Sequence, residues 1–291
     1  MSVPASGESG SLGGAIGFTV TQKQRLRELG AGEDSAQLTF ADAEARNAAF
    51  KALETELVRA GRRRLEELRS SRRTPLLCDL ESVLSSSLTA AGFVRVRTPV
   101  IIGADALTRM GITAGHPLLD QVFSIESGRC LRPMLAPNLY TLLRRLNRIW
   151  SKPFGIFEIG PCFRRDTKGS RHLNEFTMLN LVELGVPLDD RQARLEELAA
   201  LVMNAAGIPD YALATETSEV YGDTVDVEVG GLEVCSTAMG PHPLDDAWGI
   251  TDTWVGLGFG LERLLVAREE LPNIERVGPS LSYLDGVRLS I

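Results

Sequence analysis

Residues 156–185, IFEIGPCFRRDTKGSRHLNEFTMLNLVELG, indicate the fold more clearly than any other part of the chain. Two apolar runs flank a short polar loop, which is the pattern of a β-hairpin. The first run ends in Arg164 and Arg165, whereas the return run carries one amide, Asn180, on the face that it shares with Phe176. A buried amide without a partner costs on the order of 1–3 kcal/mol. We therefore expect either a neighbouring protein group or a ligand to bind Asn180.

The sequence on both sides of this hairpin predicts more antiparallel structure. QVFSIE and GRCLRPM form a second hairpin around Ser127-Gly128, and VDVEVGGLEVCSTAMG a third that turns at Gly230-Gly231. FVRVRTPVII predicts a strand that is ended or bent at Pro99. Helical patterns such as APNLYTLLRRLNRIW occur in clusters between the strands. These patterns predict an α+β fold in which helices flank an antiparallel β-sheet.

The N-terminal part of the chain differs in composition from the rest. Residues 1–17 are small and polar, without the basic start and apolar run of a signal peptide, so we expect a flexible tail. Residues 18–75 are rich in alanine, glutamate, leucine and arginine, which predicts a helical region that ends at Pro75. Residues 76–291 are then expected to form the domain that contains the sheet.

The overall composition excludes several classes of protein. Hydrophobic and charged contents of 44% and 24% are typical of a soluble globular protein. No apolar run approaches the roughly 18 residues of a membrane helix. The cysteines contain no CxxC pair and the three histidines are scattered, which argues against a zinc site and against a secreted disulfide framework. We therefore expect a cytoplasmic protein that does not bind a membrane.

One segment is strongly basic, although the whole chain carries a net charge of −7. Between Arg59 and Arg73 there are seven arginines and two glutamates. Such a run is more often a solvated helix face than a binding site. On an acidic protein, however, it is also the footprint that a nucleic-acid backbone would use. Composition alone leaves both interpretations open.

The stretch GLGFGLER near the C-terminus predicts a strand that runs directly into a helix. Gly256, Gly258 and Gly260 alternate, so one face of this strand is bare backbone, which indicates close approach of a flat or bulky group or a tight corner. The pattern is not GxGxxG and lacks a surrounding βαβ unit, which excludes a dinucleotide-binding fold. Arg263 lies in the first helical turn, where a cation gains nothing from the helix dipole. We expect Arg263 to face a ligand, since guanidinium stacks on bases and binds phosphate.

Three of these stretches resemble signature motifs of class II aminoacyl-tRNA synthetases, in the right order. FVRVRTP resembles the first motif, Arg164 before the polar loop resembles the second, and GLGFGLERLL resembles the third. LRPMLAPNLY, HLNEFTMLN, VYGDTVDVEV and GFGLERLL are in addition similar to the pyrrolysyl-tRNA synthetase family. This second resemblance covers nearly all of residues 18–291 and is to the stand-alone form, which lacks a separate N-terminal tRNA-binding domain.

The resemblance implies an activity together with its cofactors and partners. The family uses ATP and Mg²⁺ to activate L-pyrrolysine as an aminoacyl-adenylate, releases pyrophosphate, and transfers the amino acid to the 3′ end of its cognate amber-suppressor tRNA(Pyl). For this chain it implies a catalytic domain over residues 76–291, a tRNA-binding region over residues 18–75, and a homodimer formed through residues 76–102. The residues expected to bind tRNA are Arg59, Arg62, Arg63 and Arg64.

The resemblance also assigns the nucleotide site. Arg164 and Arg263 would be catalytic: Arg164 would bind the α-phosphate of ATP and the carboxyl end of the amino acid. Adenine would lie between Arg263 and Phe176. Asp166 stands where the family more often has glutamate, and its side chain is one methylene shorter, so its contact with adenine would be direct, water-bridged or absent.

Two residues are implied as the magnesium ligands, Glu233 and Ser236. A carboxylate, a hydroxyl and phosphate oxygens together form a suitable set of Mg²⁺ ligands. Simple alternation along a strand places these two side chains on opposite faces, so the assignment requires a β-bulge between them.

The amino-acid pocket implied by the resemblance is a large apolar tunnel with two polar anchors. Asn180 would bind the side-chain amide of the substrate, and Tyr221 the ring nitrogen at its far end. The helical spacing of Leu139 and Leu143 would otherwise indicate core packing. The complete set is Leu139, Tyr140, Leu143, Asn180, Val182, Tyr221, Ala238, Trp254 and Gly256.

Two other functions remain open at this point. A related class II synthetase of the phenylalanyl or phosphoseryl type is the first, although phenylalanine needs no amide-binding residue and phosphoserine would require cations in the pocket. A catalytically silent paralogue that binds RNA or a partner is the second. The chain retains the four residues that catalysis would require, which argues against a catalytically silent paralogue: Arg164, Glu233, Ser236 and Arg263.

Overall fold

The structure is a computed structural model, and it describes residues 15–165, 173–218 and 220–291. The helices are α1 Val20–Leu29, α2 Glu33–Ala36, α3 Ala43–Glu67, α4 Leu76–Ala90, α5 Ala104–Arg109, α6 Pro117–Asp120, α7 Ala136–Leu146, α8 Arg191–Ala206, α9 Asp245–Trp248 and α10 Leu261–Arg268. The strands are β1 Ile16–Gly17, β2 Thr39–Phe40, β3 Val94–Arg95, β4 Ile101–Gly103, β5 Ser124–Ile125, β6 Arg129–Leu131, β7 Phe154–Phe163, β8 Glu175–Leu184, β9 Ala212–Ser218, β10 Gly222–Val229, β11 Leu232–Gly240, β12 Trp254–Gly260, β13 Tyr283–Leu284 and β14 Val287–Arg288.

The chain divides into two compact units. The first contains the described residues up to Ser71 together with Val287–Ile291, and the second is Arg72–Gly286. The predicted boundary at Pro75 lies close to this division. The last five residues, however, belong to the first unit rather than to the second, because Arg288 lies 3.5 Å from Glu28 of α1 in an ion pair.

The first unit is mainly helical, as its composition predicts. Thr19 caps α1 in a capping box with Gln22, and Gly30 ends the helix in a left-handed conformation with φ 97°. One part of the prediction is wrong: Ile16 and Gly17 were expected in the flexible tail but form β1, which pairs with β2. The physical reason is the adjacent Phe18, which is buried and packs its ring 4.8 Å from that of Phe40.

The second unit is built on a seven-stranded sheet with the order β3-β7-β8-β12-β11-β10-β9. β3 pairs with β7 in parallel and the other neighbours are antiparallel, so the predicted antiparallel α+β fold is confirmed. One large apolar core contains buried residues of α4, α8 and α10, and a second contains those of α7 and α9. Within the described residues, no helix is long and apolar enough to cross a membrane.

All three predicted hairpins form, whereas the predicted strand before Pro99 does not stay in one sheet. β5 and β6 pair around Ser127 and Gly128, β7 pairs with β8, and β10 pairs with β11 around Gly230 and Gly231. The stretch FVRVRTPVII gives β3 in the large sheet and β4 in a three-stranded sheet with the order β4-β6-β5. The chain leaves the large sheet before Pro99, because proline donates no backbone hydrogen bond.

Candidate active site

The centre of the large sheet carries a row of small residues on the face towards α7. Asn180 of β8 lies opposite Gly258 of β12, which in turn lies opposite Ser236 of β11. Gly256 lies in the same way between Val182 and Ala238. A Cβ atom at position 258 would lie 3.1 Å from the amide nitrogen of Asn180. The alternating glycines therefore open the space above the sheet, as their spacing predicts.

A cavity of about 370 Å³ occupies this space. All nine residues of the predicted amino-acid pocket line it. They come from α7, from the three strands β8, β11 and β12, and from Tyr221 just before β10. Sequence reasoning missed other members of its wall, among them Met134, Ala136 and Thr237. These three are small or unbranched residues whose types carry no signal of a binding site.

Asn180 is the polar group that faces this apolar cavity from β8. Its Oδ1 atom is buried and has no hydrogen-bond partner among the described residues. The sequence leaves two possibilities, a protein partner and a ligand, and the Oδ1 atom has no protein partner in the described part of the chain. A buried carbonyl oxygen without a partner is costly, so a ligand that donates a hydrogen bond to it would bind with high selectivity.

Aromatic rings form part of the cavity wall. Tyr140 stacks on Trp248 with ring centroids 5.4 Å apart and meets Trp254 edge-on at 5.6 Å. The indole nitrogen of Trp254 donates to both carboxyl oxygens of Asp245, at 3.1 and 3.0 Å. Burial raises the pKa of the Tyr221 hydroxyl, which therefore stays protonated and able to donate. Asp245 was not predicted from the sequence, since aspartates in the first turn of a helix are common and carry no signal of a binding site.

A second cavity of about 320 Å³ adjoins the first, and Arg164, Glu233 and Ser236 contribute to the walls of both. Phe176 and Arg263 line the second cavity. The structure therefore gathers five of the six predicted nucleotide-site residues; Asp166 lies outside the described residues.

The two predicted catalytic arginines reach this second cavity from different elements. The guanidinium carbon of Arg164, just beyond β7, lies 5.4 Å from the ring centroid of Phe176. Arg263 of α10 donates to the backbone oxygen of Glu233 at 3.0 Å and lies 3.5 Å from its carboxylate. Arginine in these positions suits the binding of phosphate and of an aromatic base.

The predicted magnesium ligands lie on the same side of β11 because of a β-bulge. The register shifts so that Val227 pairs with Cys235 and Glu228 pairs with Glu233, which leaves one residue of β11 unpaired. Glu233 and Ser236 consequently come within 3.4 Å of each other. In the described part of the chain, no group of three or more histidine, cysteine, aspartate or glutamate side chains could hold a metal ion. A Mg²⁺ ion at this pair would therefore take its remaining ligands from phosphate and water, as Mg²⁺ commonly does.

A buried carboxyl lies beside the second cavity. Glu262 of α10 is 1% exposed and accepts the backbone N–H of Thr177 in β8, at 2.8 and 3.0 Å. Burial raises the pKa of Glu262 to about 7. Glu262 thereby ties the helix that carries Arg263 to the strand that carries Phe176.

The first part of the basic segment, with Arg59, Arg62, Arg63 and Arg64, lies on α3 in the first unit, whereas Arg72 and Arg73 belong to the second unit. Arg59, Arg62 and Arg63 are exposed and line one shallow surface pocket, whereas Arg64 is half-buried on another face of the helix. Arg69, farther along, is paired with Glu66 at 2.6 Å. The three exposed arginines therefore form the part of the segment that is best placed to meet an anionic partner.

Comparison with known proteins agrees with this geometry. Residues 77–284 match the family model described as tRNA synthetases class II core domain (F). The fold and the site thus define a class II aminoacyl-tRNA synthetase. A crystal structure of pyrrolysyl-tRNA synthetase from Desulfitobacterium hafniense superposes with a TM-score of 0.90 and 55% identity, covering 94% of this chain and 98% of that one. A structure of Desulfitobacterium hafniense PylSc, a pyrrolysyl tRNA synthetase, gives 0.89 and 54% over the same shares. The chain belongs to the pyrrolysyl-tRNA synthetase family.

Proposed function

We propose that this protein is a pyrrolysine–tRNA ligase. It activates L-pyrrolysine with ATP and transfers it to the 3′ end of a cognate tRNA(Pyl). The observation that carries this proposal is the buried, unpartnered Oδ1 of Asn180 in an apolar cavity that shares its wall with the arginine-lined cavity. Family membership supplies the class of reaction, and this amide supplies the argument for the substrate.

In the first step, a carboxylate oxygen of the amino acid attacks the α-phosphorus of ATP, and the bond to pyrophosphate breaks. Arg164 is assigned to bind the α-phosphate and the amino acid's carboxylate, because it lines both cavities. Arg263 and Phe176 are assigned to the adenine. Nucleotidyl transfer depends mainly on alignment and charge stabilisation, which guanidinium groups provide.

Glu233 and Ser236 are assigned to hold Mg²⁺, whose charge neutralises that of the phosphates. The support is the bulge that brings both side chains to one side of β11. In the second step, a terminal ribose hydroxyl of the tRNA attacks the carbonyl carbon of the adenylate, and AMP leaves.

Selectivity for pyrrolysine is assigned to the polar anchors of the larger cavity. Asn180 binds the amide of the substrate side chain, and the protonated hydroxyl of Tyr221 donates to the ring nitrogen at its far end. Leu139, Leu143 and Val182 surround the aliphatic part of the side chain. A site built to form hydrogen bonds rejects analogues that lack the partner far better than an apolar site does.

Three further assignments complete the proposal. Residues 18–75 bind tRNA, supported by the exposed Arg59, Arg62 and Arg63. Residues 76–102 form a homodimer interface, supported by Val83 and Val94, whose exposed fractions are 42% and 46%. A monomer in light scattering would contradict the interface. The protein is assigned to the cytoplasm, because translation, which uses its product, takes place there.

ATP–pyrophosphate exchange tests the activity. We expect exchange with pyrrolysine that is abolished by Arg263→Ala, because the adenine loses one side of its site. Arg268→Ala is the matched control on the same helix, since Arg268 pairs with Glu269 and lines neither of the two cavities. Exchange with phenylalanine or phosphoserine, but none with pyrrolysine, would show that one of those two amino acids is the substrate instead. Among the described residues that line the larger cavity, Arg164 is the one cation, which disfavours phosphoserine.

A further inference from the structure

A charged residue that the proposed mechanism does not use is buried beside the end of β7, the strand that leads to Arg164. Arg132, between β6 and α7, is 1% exposed, and its Nη1 lies 2.8 Å from Oε1 of Glu158 in β7, which is also 1% exposed. The same guanidinium donates through Nε to the backbone oxygen of Pro161 at 2.8 Å. A Cβ atom at Gly160 would clash with Nη2, so glycine is needed there for the guanidinium to fit.

Both members of this ion pair are also bound to Thr98. The backbone N–H and the hydroxyl of Thr98 donate to Oε1 and Oε2 of Glu158, at 3.1 and 2.6 Å. Arg132 Nη1 donates to the Thr98 hydroxyl oxygen at 3.0 Å, and so does the amide of Asn138 at 2.8 Å. The charges are thus paired and further satisfied by hydrogen bonds. A buried ion pair is by itself weak evidence for stability, because desolvation offsets its attraction. The role of this ion pair therefore lies in the groups that it positions.

The ion pair fixes the segment to which Arg164 is hydrogen-bonded. The backbone N–H of Phe163 donates to the carbonyl oxygen of Arg132 at 3.0 Å. The Nε of Arg164 donates to the carbonyl oxygen of Pro133 at 2.9 Å. A bond at Nε orients the plane of the guanidinium and directs its outer nitrogens away from Pro133. Two consecutive carbonyl groups, anchored through the side chain of Arg132, therefore set where the Arg164 guanidinium lies.

The same network reaches the amino-acid pocket. Asn138 precedes Leu139 on α7, and its amide also donates to the backbone oxygen of Pro99 at 2.9 Å. One buried cluster thus joins the strand that leads to Arg164 with the helix that lines the larger cavity.

We propose that Arg132 and Glu158 form a positioning pair that holds the guanidinium of Arg164 in line for adenylate formation. The pair contacts no reactant and acts through Pro133. This inference rests on the proposed role of Arg164 and adds a requirement for the orientation of its side chain.

A double-mutant cycle measured by ATP–pyrophosphate exchange tests the pair. Lysine at position 132 keeps the charge but loses the fork that binds Glu158 and Pro161 together. We expect Arg132→Lys to lower kcat about tenfold or more, since small misplacements of a reacting group are costly, and to change KM for pyrrolysine less than threefold. In an Arg164→Lys background, the additional loss of kcat caused by Arg132→Lys should fall below twofold.

Arg194→Lys is the matched control. Arg194 forms ion pairs with Glu183 and Glu197 on the other side of the sheet and lines neither cavity. We expect it to leave kcat unchanged relative to its parent in both the wild-type and the Arg164→Lys background. Equal losses for Arg132→Lys with and without Arg164→Lys would overturn the proposal and give Arg132 a merely structural role.

Two further measurements keep the test decisive. If Arg132→Lys does not fold, Glu158→Gln takes its place in the same cycle, because glutamine preserves the shape and one acceptor. If Arg164→Lys alone leaves exchange unchanged, the role of Arg164 fails, and the positioning pair fails with it. Loss of exchange in Arg164→Lys combined with additive effects of Arg132→Lys would refute the pair alone.

Discussion

The hydroxyl of Ser236 donates to Oδ2 of Asp226 at 3.0 Å, and the carboxyl that receives it is only 5% exposed. Thr224 donates to the other oxygen of Asp226, also at 3.0 Å. With its proton directed at Asp226, the Ser236 oxygen presents lone pairs elsewhere, as a hydroxyl that binds a cation must.

We therefore predict that Asp226→Asn weakens the proposed magnesium site. Outer-shell partners of metal ligands are typically worth about 10- to 100-fold in metal affinity, and a loss in this range is expected. Mn²⁺ binding in the presence of ATP, followed by electron paramagnetic resonance, measures it without requiring activity. Asp252→Asn is the control, because Asp252 pairs with Lys152 away from both cavities. An unchanged Mn²⁺ affinity in Asp226→Asn would count against the orientation of Ser236.

Asn180→Ala should lower kcat/KM for pyrrolysine by about 10- to 100-fold, since the ligand amide loses its partner in a dry site. The kcat/KM for analogues that lack the side-chain amide should fall much less, so that the enzyme no longer discriminates between pyrrolysine and these analogues. Steady-state exchange with both substrates gives the ratio. Asn147→Ala provides a matched control, because its Oδ1 is also buried without a partner among the described residues but lies outside the cavity. Equal losses for both substrates would show that Asn180 does not bind the amide.

Asp245→Ala should raise KM for pyrrolysine several-fold while leaving KM for ATP near its wild-type value. Without the carboxylate, the indole N–H of Trp254 has no acceptor and this part of the cavity wall is no longer held. The exposed neighbour Asp246→Ala should leave both constants unchanged. Parallel changes in the two constants would point to a general loss of structure instead.

Glu262→Gln should alter the pH dependence of stability. The pKa of Glu262 is raised to about 7 in the folded protein, against 4.5 for an unperturbed carboxyl, so ionisation opposes folding. As pH rises from about 4.5 to about 7, the free energy of unfolding of the wild type should fall relative to the glutamine variant, by up to roughly 3 kcal/mol. Urea unfolding of both proteins across this range measures the difference. A difference that is constant with pH would mean that Glu262 does not titrate there.

Replacing Arg62 and Arg63 with glutamine should weaken tRNA binding and reduce its salt dependence. Each lost phosphate contact lowers the slope of log K against log salt by about 0.7–0.9. Exchange without tRNA should be unaffected, because both residues lie on α3 in the first unit. Arg69→Gln is the control in the same segment, since Glu66 already neutralises it. Wild-type tRNA affinity in the double variant would indicate that the segment is a solvated helix face and does not bind tRNA.

Most of the architecture follows from local patterns in the chain. Alternation in IFEIGPCFRR and NEFTMLNLVELG specifies β7 and β8, and the glycines of GLGFGLER specify the bare face of β12. Local patterns do not separate β3 from β4, where one apparent strand is shared between two sheets, and they place Ile16 and Gly17 in the tail although both form β1. Strand partners and burial are set by residues distant in the chain, which periodicity does not register.

The kinds of residue at the site could also be inferred from the sequence: arginines for phosphate, an amide among apolar residues, and a carboxylate with a hydroxyl. Their arrangement depended on contacts over long sequence separations. The bulge that brings Glu233 beside Ser236 comes from the register between β10 and β11. The partners Asp226–Ser236 and Arg132–Glu158 are 10 and 26 residues apart. Side-chain types and short periods are local properties, whereas the orientation of a guanidinium or a hydroxyl is set by whatever the completed fold packs against it.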